Sequence, residues 1–235
     1  KLNFKIFPFG SEHIIELNKH CISRKKKAVK KSINWQKKYQ LTIKEKGESD
    51  ILFWEKANEL KIKWKSKKGL LLEKHGFLNR PLKETEDGIR YFYLEKNKKI
   101  ISFIRCDPIY QHKIISAYSI SYIMYDHNVK KNLTYGIINQ LINKLKKEKN
   151  ITHINLGVTP YSYKNKAFTS LYLNILQKSL YYLGSYFYNF KTLKNFKENL
   201  STNSTKTYFA SQKTFPIKDI LSTYVITTGI EIKST

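Results

Sequence analysis

Residues 133–156 read LTYGIINQLINKLKKEKNITHINL, and the fold class turns on this stretch. Ile137, Ile138, Leu141, Ile142 and Leu145 recur at helical spacing, which predicts a helix from about Leu133 to Glu148 with one apolar stripe. Ile151–Leu156 then reads as a strand. Upstream, Ile89–Glu95, Ile100–Arg105 and Lys113–Tyr125 read as three consecutive strands of an antiparallel meander, with Asp107 before Pro108 as a turn residue. Downstream come a long apolar and aromatic helix, Ala167–Tyr188, a short basic helix over 190–200 and a strand, Thr207–Gln212. A final helix starts at Pro216, whose ring suits a first helical turn. Strands, helix, strand, helix is the order of one α/β unit with a mixed sheet flanked by helices.

The first residues have another texture. Residues 2–9 and 12–17 predict two short strands around Gly10, followed by a basic helix from Ser23 to Tyr39. Strand Leu41–Lys46 precedes a turn at Gly47–Asp50, where Asp50 is a candidate cap for a helix carrying Leu52, Phe53, Ala57, Leu60 and Trp64. Gly69 breaks that helix. This divides the chain into residues 1–68, the tail of a preceding unit, and residues 69–235, a complete one. The chain begins at Lys1, without Met, in a strand-like pattern, and so reads as a fragment from which an upstream membrane anchor would be missing.

Composition narrows the partners. Lys and Arg number 44 against 18 Asp and Glu, a formal charge of +26. Such a surplus favours polyanions such as tRNA or an acidic bilayer, although a genome-wide drift toward Lys, Asn and Ile inflates it without any partner. Cys21 and Cys106 have no ligand-like spacing, which argues for a reducing compartment and against structural zinc or a disulfide framework. No apolar stretch reaches the roughly 18 residues a membrane span needs. Phosphate-binding, nucleophile-elbow, zinc-protease and dinucleotide motifs are all missing, and the six histidines are scattered.

Three stretches, in order, carry a resemblance. Ile6-Phe7-Pro8-Phe9-Gly10 through Leu17 leads into the basic helix Ser23–Lys38. Trp64 and Lys68-Gly69 are followed by Ile100-Ile101-Ser102-Phe103 and Pro108-Ile109-Tyr110-Gln111. Asn155-Leu156-Gly157-Val158-Thr159-Pro160 is followed some 30 residues later by Leu193-Lys194-Asn195-Phe196-Lys197-Glu198, and then by Tyr208-Phe209-Ala210. Together they resemble the C-terminal catalytic domain of lysyl-phosphatidylglycerol synthases, also called multiple peptide resistance factors. That resemblance implies an acetyltransferase-like (GNAT) fold, one complete repeat preceded by the tail of another. It also implies transfer of lysyl or alanyl from aminoacyl-tRNA, as co-substrate, to phosphatidylglycerol or a related anionic phospholipid. No further cofactor or metal is implied. The expected setting is the cytoplasmic face of the cell membrane, with an N-terminal transmembrane region in the full-length proteins.

Acetyltransferases that use acetyl-CoA place a glycine-rich turn before their central helix, so that backbone N–H groups hold the pyrophosphate. Here that run is Lys130-Lys131-Asn132-Leu133-Thr134-Tyr135-Gly136, with one glycine, so acetyl-CoA is not expected. An aminoacyl ester is already activated, and the enzyme must mainly position it and stabilise developing charge. Lys197 is the leading candidate for that charge, with Lys68 and Asp126 as further catalytic candidates. Tyr118, Ser121, Gly157, Thr159, Pro160 and Phe196 are candidate substrate contacts. Arg24, Lys25, Lys26, Lys27, Lys30, Lys31 and Lys194 form a candidate tRNA or headgroup surface. The apolar helix residues Tyr172, Leu173, Ile175, Leu176, Leu180, Tyr181 and Tyr182 suit either a lipid passage or a buried core. One departure stands out: Tyr118 and Ser121 occupy the places of the family's Asp-Leu-x-Arg pair, and Asp126 supplies the carboxylate only if the strand is shifted. The run from Tyr125-Asp126 to Gly136 is also similar to arginyl-tRNA–protein transferases, which keeps a peptide or cell-wall acceptor open. A non-catalytic RNA- or membrane-binding module on the same fold is the third reading.

Overall fold

The meander forms where the alternation predicts it, as strands β3 (Arg90–Lys96), β4 (Lys99–Gln111) and β5 (Ile114–Tyr125). Tight two-residue turns join them: Asn97 and Lys98, then His112 and Lys113, all have positive φ, the geometry that matches the twist of the flanking strands. The computed structural model describes residues 3–19, 27–48, 50–68, 87–129, 133–160, a few positions between 174 and 182, 190–213 and 216–228. Around the meander lie β1 (Lys5–Glu16), α1 (Lys27–Lys38), β2 (Lys44–Glu45), α2 (Phe53–Lys68), α3 (Leu133–Leu145) and β6 (His153–Pro160). The chain continues through α4 (Phe190–Leu200), β7 (Asn203–Ser211) and α5 (Ile217–Thr228). Most of the predicted helix 167–188 lies outside the described residues.

The seven strands form one mixed sheet in the order β2-β3-β4-β5-β6-β1-β7, with β5 and β6 as its parallel pair. The alternation of β3 and β4 sends Phe92, Leu94, Ile104 and Cys106 to one face, where α1, α3 and α4 cover them. Tyr91, Tyr93 and Phe103 go to the other, under Phe53, Ala57 and Leu60 of α2. Arg90 ties the β2 edge to the end of α3. Its guanidinium donates to both carboxylate oxygens of Glu45, at 2.6 and 2.9 Å, and to both of Glu148, at 2.8 and 2.9 Å.

Three local expectations change. Residues 5–16 are one strand rather than two, because Gly10 is a point of close approach and not a turn: a β-carbon there would lie 2.3 Å from the Thr159 carbonyl oxygen. Asp107 and Pro108 lie inside β4; pairing with β3 ends at Cys106, so Pro108 has a ladder on one side only and its missing N–H is tolerated. The Asp50 carboxylate reaches back to the Gly47 N–H at 3.2 Å and accepts from the Tyr93 hydroxyl, closing the turn before α2. The sheet also spans the sequence boundary at 68/69, since β1 lies between β6 and β7.

Candidate active site

The parallel ladder between β5 and β6 is short. Ala117–Ser119 pair with His153–Asn155, after which β5 runs on to Tyr125 and β6 to Pro160 without each other. At the parting point β6 turns to β1, and the turn is a bulge. Glu12 sits opposite Val158 but Ile14 opposite Asn155, so β6 carries one residue more than β1 over this step. Gly157 absorbs it with φ +76°, a left-handed conformation that side chains resist. The Gly157 N–H donates to the Asn155 side-chain oxygen at 2.6 Å, and the Asn155 amide donates to Glu12 at 2.7 Å.

Helix α4 delivers Lys197 to this bulge. Phe190, Lys197 and Leu200 are its buried residues, and Phe196 packs on the Tyr135 ring of α3 at 5.1 Å. Lys197 is 8% exposed, and its ammonium donates to the Val158 carbonyl at 3.0 Å and would lie 3.5 Å from a β-carbon at position 157. Burial pulls its pKa down to about 8, and the negative charge of Glu12 opposes that shift. A buried lysine whose ammonium donates to a backbone carbonyl, close to a strand end that has lost its neighbour, can stabilise a developing negative charge.

Of the residues singled out in the sequence, Lys197 and Gly157 meet here, with Thr159 and Pro160 next along β6 and Phe196 beside Lys197 in α4. Thr159 is fully buried and Pro160 pairs with Gly10. Lys194 is half-buried one turn back on α4. The others go elsewhere. Tyr118 is buried in the core, with the Arg90 guanidinium 5.3 Å from its ring and hydrogen-bonded to its phenol. Ser121 is exposed, its hydroxyl 3.5 Å from the Arg105 carbonyl. Asp126 accepts from the Asn128 N–H and lines a separate cleft with Lys56, Lys63, Lys96 and Lys99; no residue of 153–160 or 190–200 lines it. Lys68 ends α2. Lys27, Lys30 and Lys31 are exposed on α1, while Arg24, Lys25 and Lys26 lie outside the described residues. Glu12 was not singled out in the sequence because its partners are more than 140 positions away.

The first turn of α3 packs on α1. The Gly136 N–H donates to the Ser32 hydroxyl of α1 at 3.0 Å, and the Gln36 side chain packs so close that a β-carbon at 136 would come within 2.3 Å of its amide. Among the described residues no three His, Cys, Asp or Glu side chains are grouped to hold a metal ion, and no helix is long and apolar enough to cross a membrane.

A family model described as the C-terminal domain of phosphatidylglycerol lysyltransferase matches residues 1–211. The chain belongs to this family. Similar solved structures agree on the fold. L-PGS from Bacillus licheniformis superposes with a TM-score of 0.67 at 20% identity, over 97% of this chain and 67% of that one. A C-terminal DUF2156 domain from Agrobacterium fabrum, named for a lysylphosphatidylglycerol synthetase, gives 0.62 at 16% identity, over 94% and 65%. The chain thus spans about two thirds of their length. No curated protein sequence matches it. The mixed sheet with its parted parallel pair is the acetyltransferase-like fold that the resemblance implied.

Proposed function

We propose that this member of the phosphatidylglycerol lysyltransferase family is a tRNA-dependent aminoacyltransferase, moving a lysyl or alanyl group from aminoacyl-tRNA to phosphatidylglycerol or a related anionic lipid at the cytoplasmic face of the membrane. The observation that carries the reading is Lys197, a buried ammonium bound to Val158 beside the parted strands. With its pKa near 8, it is mostly charged at neutral pH, and a desolvated cation stabilises an oxyanion far better than one in solvent. A headgroup hydroxyl attacks the ester carbonyl, and the carbonyl oxygen becomes an oxyanion that Lys197 stabilises. Collapse expels the ribose oxygen of the tRNA, which takes up the proton lost by the attacking hydroxyl. One ester is exchanged for another, so no further energy source is needed. Two other observations support the choice of donor: Ser32 and Gln36 pack against Gly136 in the first turn of α3, and the formal charge of +26 attracts both polyanions.

The test is transfer of radiolabel from Lys-tRNA or Ala-tRNA to vesicles containing phosphatidylglycerol, followed by chloroform extraction. The wild-type chain should place label in the organic phase, and Lys197→Ala should lower the rate at least about a hundredfold, in line with loss of an oxyanion donor. Label that stays on the tRNA with every amino acid and lipid tried would overturn the proposal; label on a peptide acceptor would relocate the acceptor.

A further inference from the structure

We propose that Glu12 is the positioning residue of this site: its carboxylate fixes Asn155, Asn155 fixes the Gly157 bulge, and the bulge presents the Val158 carbonyl that holds Lys197. The inference rests on Lys197 being the catalytic cation proposed above.

The chain of contacts is short and directional. The Asn155 amide has both ends engaged, its nitrogen on Glu12 at 2.7 Å and its oxygen on the Gly157 N–H at 2.6 Å. Its orientation is therefore set from β1, by a residue that lies opposite Val158 in the ladder. Without the carboxylate, the amide is free to rotate and the left-handed Gly157 loses the bond that holds its N–H. The next carbonyl along, Val158, is the one that Lys197 uses. A displacement of about 1 Å at a reacting group can cost a hundredfold in rate, so this support matters more to chemistry than to folding.

Charge adds a second, separable contribution. Of the elements packed at Lys197, β1 carries Glu12 and His13, β6 carries no charged residue over 154–160, and α4 itself carries Lys194 and Glu198. Glu12 is the one whose charge opposes the desolvation of Lys197. It keeps the ammonium protonated to higher pH than burial alone would allow.

Two substitutions separate the contributions. Glu12→Gln keeps an acceptor for the Asn155 amide and removes the charge; Glu12→Ala removes both. Lysine labelled with carbon-13 reports the Lys197 titration directly by NMR, independently of any reaction. In Glu12→Gln the Lys197 midpoint should fall by about half a pH unit or more. The high-pH loss of kcat should move down with it, while KM for aminoacyl-tRNA stays within about twofold. Glu12→Ala should remain folded and lose kcat roughly ten- to a hundredfold. An unmoved midpoint in Glu12→Gln, or full kcat in Glu12→Ala, overturns the role of Glu12 and leaves the transfer reaction standing. A shifted midpoint in a chain that transfers nothing overturns the reaction and supports the coupling.

Discussion

Replacing Lys197 with methionine should make the protein more stable toward neutral pH while it destroys transfer, and the size of the effect follows from burial. The side chain is 8% exposed and its pKa is pulled from 10.5 to about 8. At 1.36 kcal/mol per pH unit, the folded state gives up roughly 3 kcal/mol to keep this ammonium charged at low pH. The sign is that of a depressed lysine. Between pH 8 and 10.5 the unfolded chain holds a proton that the folded chain has released, so wild-type stability rises with pH across this window. Methionine has no such proton. The difference in unfolding free energy, wild type minus Lys197→Met, should therefore rise by roughly 2 to 3 kcal/mol from pH 7 to pH 10. The bond lost from the Val158 carbonyl costs about 1 kcal/mol at every pH and does not alter that slope. Urea denaturation of both proteins in matched buffers measures it, and the other lysines cancel in the comparison. A difference that stays flat, or falls with pH, would show that Lys197 is not held in a desolvating pocket and would remove its claim to be a prepared cation.

Four further outcomes follow from the same geometry. Gly157→Ala should cost about 1 to 2 kcal/mol, since φ +76° disfavours a side chain while the added carbon meets Lys197 only at ordinary contact distance; transfer should suffer more than urea stability. Gly10→Ala should cost about 3 kcal/mol, because the Thr159 carbonyl stands 2.3 Å from the new carbon and β1 must move off β6; a drop in thermal midpoint measures it. Arg90→Ala leaves Glu45 and Glu148 sharing a part-buried site with Lys144 and should cost about 2 kcal/mol by denaturation, without touching the substrate preference. Ser121→Ala and Tyr118→Phe should keep kcat/KM within about threefold of wild type; a larger loss in either would return β5 to the reaction centre.

Periodicity carried the meander, α3 and α4 because each buries a repeating face: Phe92, Leu94 and Ile104 on a strand period, Ile137, Leu141 and Leu145 on a helical one. It misled at Gly10 and at Asp107-Pro108. Glycine and proline usually punctuate, but here one permits a close approach between strands and the other sits where a strand has a single neighbour. The candidate site was half legible. Gly157 and Lys197 lie in motifs with local spacing, whereas Tyr118 and Ser121 were placed by an ungapped match along β5, and a strand alternates its faces at every step. The bulge at the Arg105/Cys106 step changes that alternation, so a linear match could not tell core from cleft. Glu12 left no trace in any window, since its role exists only once the first strand meets the sixth.

That meeting has a cost in time. β1 stays without either neighbour until 140 or more further residues have followed it, as the Glu12–Asn155 and Glu16–Thr202 separations of 143 and 186 positions show. Meanwhile a ribbon with two open edges waits for its partners, exposed to misassembly. Folding of this sheet should accordingly finish late and slowly, because the final docking closes a loop of 186 positions.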